Sequence, residues 1–381
     1  MMTEFSSCAT RAGTERYAAR MRHLDPSHFR ERFGLRFSSV GIGTYLGEPD
    51  AAADAAYEES IQTAFANGCN VIDTALNYRL MHSERAVGRA LQALFADGRG
   101  AREEVIVCSK GGYIAYDGGQ DLDAQRDLHS RIVKTGLAAE DDIAGGVHCL
   151  APDYLSHQIE TSLSNLGLET IDVYYLHNPE VQLEQGVSSD NFLARLEAAF
   201  ARLEEEAAAK RIRAYGIASW SGLRADETER NYLPLFVLVD AARKVGGPQH
   251  RFRFLQCPYN MGMMEVLVKK NQYVNIAQHN GQTQRVQLPL LAAAVQYGIA
   301  VVTSATLLQG QVRGRPPASL RRKLDDLSSD AQIALQLSRS TPGVTTALAG
   351  MRQTQHVLEN LAVAQLPSLE PEAFFQMFRL E

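Results

Sequence analysis

SSVGIGTY, residues 38–45, decides the fold, and it does so through what fails to follow it. The run is short and apolar on both faces, as a strand buried in a parallel sheet is. An open, doubly wound sheet that binds a dinucleotide carries G-x-G-x-x-G at the turn leaving its first strand. Here the turn offers only GIG at 41–43, too short for that fingerprint. The balance tips toward a closed barrel.

Comparable runs recur along the chain: NVIDT (70–74), VIVCSK (105–110), IDVYYLH (171–177), IRAYGIAS (212–219), RFLQC (253–257), GIAVVTS (298–304) and GVTTALAG (343–350). Between them lie apolar residues at helical spacing, such as Leu155, Ile159, Leu163 and Leu166, or Leu193, Leu196, Phe200 and Leu203. Strand and helix alternate through eight units, which predicts an α/β chain folded as a single-domain (β/α)8 TIM barrel over residues 35–365. Residues 1–34 read as a partly disordered N-terminal tail and 366–381 as a C-terminal tail. Two connections are unusually long, 113–150 after the third strand and 258–287 after the sixth. Both fall at the C-terminal face, where barrel active sites are built, and 113–150 reads as a wall or lid over a substrate.

The bulk properties narrow the function. A formal net charge of −6 argues against a nucleic-acid partner, which needs a basic face. No apolar stretch approaches the roughly 18 residues that span a bilayer, and the N-terminus lacks the apolar region of a secretory signal. The five cysteines (Cys8, Cys69, Cys108, Cys149 and Cys257) have no paired spacing, so neither a disulfide framework nor a metal site is expected. The expected compartment is reducing, the cytoplasm. Oligomeric state leaves no readable trace.

Polar residues interrupt the strand ends in a telling way. Asp73 closes the second run, Lys110 the third and His177 the fourth, while Tyr78 lies five residues past Asp73. Taken singly, each has an ordinary explanation: a turn aspartate, a solvated lysine, a rim histidine. At the same ends of three successive barrel strands they converge on one place. Such a set suits carbonyl reduction. A phenol is a poor acid near neutral pH unless a cation favours its anion, and Lys110 can supply that cation while Asp73 keeps it charged. His177 can hydrogen-bond the carbonyl oxygen.

At this point the chain resembles the aldo-keto reductase superfamily, from about Leu35 to Ala364. NVIDTALNYRLMHSERAVGRAL (70–91) looks like the family's first signature, VIVCSKGG carries its lysine and IDVYYLHNPE its histidine. KRIRAYGIASW, FLQCPYN and PGVTTALAG…HVLENLAVA are similar to the fifth, sixth and eighth strand regions. The resemblance implies Tyr78 as general acid/base, with Asp73, Lys110 and His177 completing the catalytic set. It also implies NADP as cofactor, with NAD possible, held by Gly43, Thr44, Asp73, Ser219, Gln256, Ser304, Leu307, Gly310, Gly350, Arg352, His356, Glu359 and Asn360. Two departures stand out. Ala218-Ser219 replaces the Ser-Asn that usually holds the carboxamide, and Ser304 replaces the aromatic residue that stacks on the nicotinamide. Arg352 is the nearest guanidinium for a 2′-phosphate. The implied activity is hydride transfer between NADP(H) or NAD(H) and a small aldehyde, ketone or sugar. The alternative is a cofactor-sensing regulatory subunit with little turnover, like the potassium-channel β subunits that share the fold.

Overall fold

The computed structural model describes residues 7–277, 282–308 and 318–378. Eight parallel strands close into a barrel: β1 (Val40–Gly43), β2 (Val71–Asp73), β3 (Ile106–Gly111), β4 (Ile171–His177), β5 (Ile212–Ala218), β6 (Phe252–Pro258), β7 (Ala300–Ser304) and β8 (Val344–Gly350). Each strand pairs with its sequence neighbours, and β8 returns to β1 through the register Ala347↔Val40. The interior is filled by Val71, Ile106, Cys108, Val173, Tyr175, Phe254 and Val302, so the barrel is a packed core and not a pore. A second, larger core lies between strands and helices. There Leu155, Ile159 and Leu166 of helix Pro152–Leu166 and Leu196, Phe200 and Leu203 of helix Ser189–Ala208 are buried, as their spacing requires. Among the described residues no helix is long and apolar enough to cross a membrane.

The ends of the chain differ from the sequence reading. Residues 7–34 are a folded floor to the barrel, not a loose tail. Helix Arg11–Arg20 buries Tyr17, whose hydroxyl donates to the Phe65 carbonyl at 2.5 Å. A hairpin of Phe29–Arg32 and Leu35–Ser38 turns on Phe33 and Gly34, both at positive φ, the backbone such two-residue turns demand. It drives Leu35 and Phe37 into the barrel interior. Charged residues are scattered through this stretch, and they hid its few buried side chains from a periodicity argument. The C-terminal tail likewise holds a helix, Pro371–Gln376, that buries Phe374.

The 258–287 segment is no irregular loop either. It contains a short helix and an antiparallel hairpin, Lys270–Ala277 against Thr283–Pro289. Its second strand is largely solvent-facing and polar, so it lacks the apolar run that marked the barrel strands. The 113–150 segment carries a small core of its own around Ile114, Ile132, Cys149 and Tyr154.

Candidate active site

The C-terminal ends of the strands open into a cavity of about 670 Å³. Asp73 ends β2, and its carbonyl accepts from the Thr44 backbone N–H at 3.1 Å, which ties the ends of β1 and β2 together. Lys110 on β3 is fully buried, and its Nζ donates to Asp73 Oδ1 at 2.5 Å and to the Thr74 carbonyl at 2.8 Å. Gln256 on β6 donates from Nε2 to Asp73 Oδ2 at 2.6 Å. Two of the three ammonium hydrogens are thus committed, and the third is free for the Tyr78 hydroxyl, whose ring centroid lies 4.8 Å from Nζ. Burial alone would lower the Lys110 ammonium, but the Asp73 carboxylate and the Tyr78 hydroxyl together outweigh it and hold the group above its ordinary value. Burial pushes the Tyr78 phenol up, and the Lys110 charge pulls it back.

Tyr78 is presented by a strained turn. Arg79, Leu80 and Met81 follow it with φ of 50°, 53° and 68°, a left-handed run without glycine. Each such residue costs on the order of 1–3 kcal/mol, and a fold keeps three only where surrounding contacts enforce them. Arg79 is the visible enforcer. Its buried guanidinium donates to the Glu48 carbonyl at 2.9 Å and to Asp54 Oδ1 at 2.6 Å.

His177 ends β4 with its ring 5.6 Å from that of Tyr78. Its Nδ1 is buried without a partner among the described residues. An orphaned N–H is the costlier defect, so the neutral ring carries its proton on Nε2 as a donor. Burial, then the nearby Lys110 charge, holds its pKa well below the usual histidine value. Behind it, His148 Nε2 bonds the His177 carbonyl at 2.9 Å, and Tyr113 meets the imidazole edge-on at 5.1 Å. The long loop therefore buttresses His177, while no described residue from 113–150 lines the cavity. It does not form the expected wall there.

The cavity brings together nearly all the remaining residues singled out from sequence. Gly43, Thr44, Ser219, Gln256, Ser304, Leu307, Gly350, Arg352, His356, Glu359 and Asn360 all line it. Gly310 lies outside the described residues. The Ser219 hydroxyl is already engaged, donating to Glu180 Oε1 at 2.8 Å. Among the described residues no aromatic side chain replaces the one absent at Ser304 on β7, but Trp220, Tyr45 and Tyr57 line other walls. Asn178, Glu180 and Trp220 were missed in the sequence. IDVYYLHNPE contains two of them, and nothing local distinguishes them from rim residues.

The Aldo/keto reductase family profile matches residues 39–241. Over 373 residues the chain is 24% identical to a Schizosaccharomyces pombe protein provisionally named a voltage-gated potassium channel subunit beta, covering 91% of this chain and 90% of that one. Over 360 residues it is 24% identical to L-galactose dehydrogenase of Arabidopsis thaliana, covering 88% and 87%. A solved aldo/keto reductase from Klebsiella pneumoniae, in complex with NADP and acetate, superposes with a TM-score of 0.59 at 18% identity, covering 92% of this chain and 94% of that one.

Proposed function

The chain belongs to the aldo/keto reductase family, and from that premise we propose that it reduces the carbonyl of a small aldehyde, ketone or sugar, or oxidises the corresponding alcohol, with Tyr78 as general acid/base. One observation carries the reading. A buried Asp73–Lys110 pair stands beneath the Tyr78 phenol, with a neutral His177 on the far side, at the head of a large cavity. In the reductive direction Tyr78 gives its proton to the carbonyl oxygen. Lys110 stabilises the phenolate left behind, Asp73 keeps Lys110 charged, and the His177 Nε2–H holds the same oxygen in place.

The donor set of the cleft fits a nicotinamide dinucleotide. Ser219 and Gln256 would hold the ring end, and Arg352, His356, Glu359 and Asn360, which line the cavity around helix Thr354–Leu361, would hold the other. When bound, the cofactor supplies the hydride. Arg352 makes NADP the favoured form, because a guanidinium pairs bidentately with a 2′-phosphate.

The test is single-turnover reduction of a reactive aldehyde. Tyr78→Phe is expected to bind cofactor normally and to lose roughly 10²–10⁴-fold in rate. Retention of more than about a tenth of the wild-type rate would remove Tyr78 from the role. The similarity to the channel β subunit favours a second reading, a cofactor sensor. Steady-state turnover against a panel of aldehydes and sugars separates the two.

A further inference from the structure

A serine hydroxyl has one proton to give and two lone pairs to receive with. Ser219 has little of that capacity left. Its proton goes to Glu180 Oε1 at 2.8 Å, and the Leu223 backbone N–H donates to its oxygen at 3.2 Å. One lone pair remains, so toward the cavity Ser219 can only accept. Gln256 is constrained in the same sense. Asp73 is an acceptor, so the Gln256 amide nitrogen must face it, and the Gln256 amide oxygen is left for a ligand.

Glu180 sets this polarity from below. It is 1% exposed, and Oε1 also receives the Ser221 N–H at 2.9 Å and the Gly222 N–H at 3.2 Å, while Oε2 has no partner among the described residues. Two backbone donors and a hydroxyl converging on one oxygen are what a carboxylate, which only accepts, collects. Two residues earlier, Asn178 Oδ1 takes the Trp220 N–H at 2.9 Å. The segment after β4 thus clamps the 219–222 turn after β5 from its buried side.

We propose that Glu180 is a positioning residue that fixes Ser219 as an acceptor, so that Ser219 and Gln256 together select a cofactor ring bearing an amide NH₂. The inference rests on the reading of this cleft as a nicotinamide site. A carboxamide NH₂ has a hydrogen for each acceptor. An acetyl group in its place brings a methyl against two buried lone pairs, and sites built around a hydrogen bond discriminate against the analogue that lacks it.

The probes are NADP⁺ and its 3-acetylpyridine analogue, or the corresponding NAD⁺ pair if that is the form bound. Trp220, the single tryptophan of the chain, lines the cavity and reports binding by its fluorescence. Wild type is expected to bind the carboxamide form at least about tenfold more tightly than the acetyl form. Ser219→Ala should shrink that ratio below about threefold by weakening only the carboxamide form, and Glu180→Ala should do the same, with the double variant adding nothing. Should Glu180→Ala not fold, Glu180→Asp carries the same test, because its shorter carboxylate withdraws from the Ser219 hydroxyl. Equal losses for both probes, or an unchanged ratio in Ser219→Ala, would overturn the proposal and leave the reductase reading standing. A wild type that binds neither probe overturns both.

Discussion

Lys110 at the catalytic end and Arg339 beneath the barrel are both fully buried cations, and they are handled in opposite ways. Lys110 faces a carboxylate, with a phenol above it. Arg339 has no carboxylate within ion-pair distance among the described residues. Its guanidinium instead donates to the Gln336 side chain, the Ser39 and Ser368 hydroxyls and the Val363 and Leu366 carbonyls. Arg30 lies beside it and takes the Val344 and Thr345 carbonyls. A planar fork of five donors suits stitching several segments together, whereas a compact ammonium delivers charge to a point. The floor therefore uses a cation as a staple, and the rim uses one as a reagent.

If that division holds, swapping in methionine separates the two. Lys110→Met should lower carbonyl reduction by about 10²–10⁴-fold, the range general acid catalysis supplies, with cofactor affinity changed by less than about threefold. Arg339→Met should leave the rate per folded molecule unchanged and cost roughly 3–4 kcal/mol in urea unfolding, because its acceptors lose their donors at once. Catalysis lost in the floor variant but kept in the rim variant would break the comparison.

A weaker effect probes both ends together. His28, near the floor, bonds the Ser39 hydroxyl and the Gly68 carbonyl, each at 2.9 Å, and burial lowers its pKa to about 3. His148, behind His177, is lowered by burial to about 4. In both, the folded state holds off a proton that the unfolded chain takes up near pH 6.5. The unfolded state binds more protons below that point, so stability is present above pH 6.5 and is lost as pH falls toward the folded values. Each histidine should remove about 2 kcal/mol between pH 7 and pH 5. Urea unfolding at the two pH values measures this, and His28→Gln should flatten the difference by its own share. A variant as pH-sensitive as wild type would show that His28 titrates normally.

These contrasts also explain what the sequence could and could not tell. The eight barrel strands are buried on both faces, so their composition announces them. Asp73, Lys110 and His177 could be picked out as candidates because strand ends index position in a barrel, and Tyr78 followed from its place five residues past Asp73. The floor hairpin was not, because FRER (29–32) is polar and only Leu35 and Phe37 beyond it turn inward. The clamp at Glu180 was invisible for another reason. Its partners, Ser219 to Gly222, are some forty residues away, and their donor directions exist only once β4 and β5 pair through His177↔Ala218.

Arg352 is the intermediate case, and the smallest effect belongs to it. Its backbone is anchored, with its carbonyl accepting from Ser60 Oγ at 2.8 Å. Its side chain is exposed on the cavity lining, and no carboxylate lies within ion-pair distance of it among the described residues. Unlike Arg339 it staples nothing, and unlike Lys110 it faces no buried partner. A charged hydrogen bond at an exposed position sits at the low end of its range, about 1.5 kcal/mol, because solvent and salt screen it. Arg352→Ala should therefore weaken NADPH about tenfold, leave NADH almost unchanged and cost no measurable stability. The NADPH penalty should also shrink as ionic strength rises, a signature that lost packing would not produce. Titrations of both cofactors at low and high salt read all of this. Equal weakening of NADPH and NADH would mean that Arg352 touches what the two share, and the preference for a 2′-phosphate would need another residue.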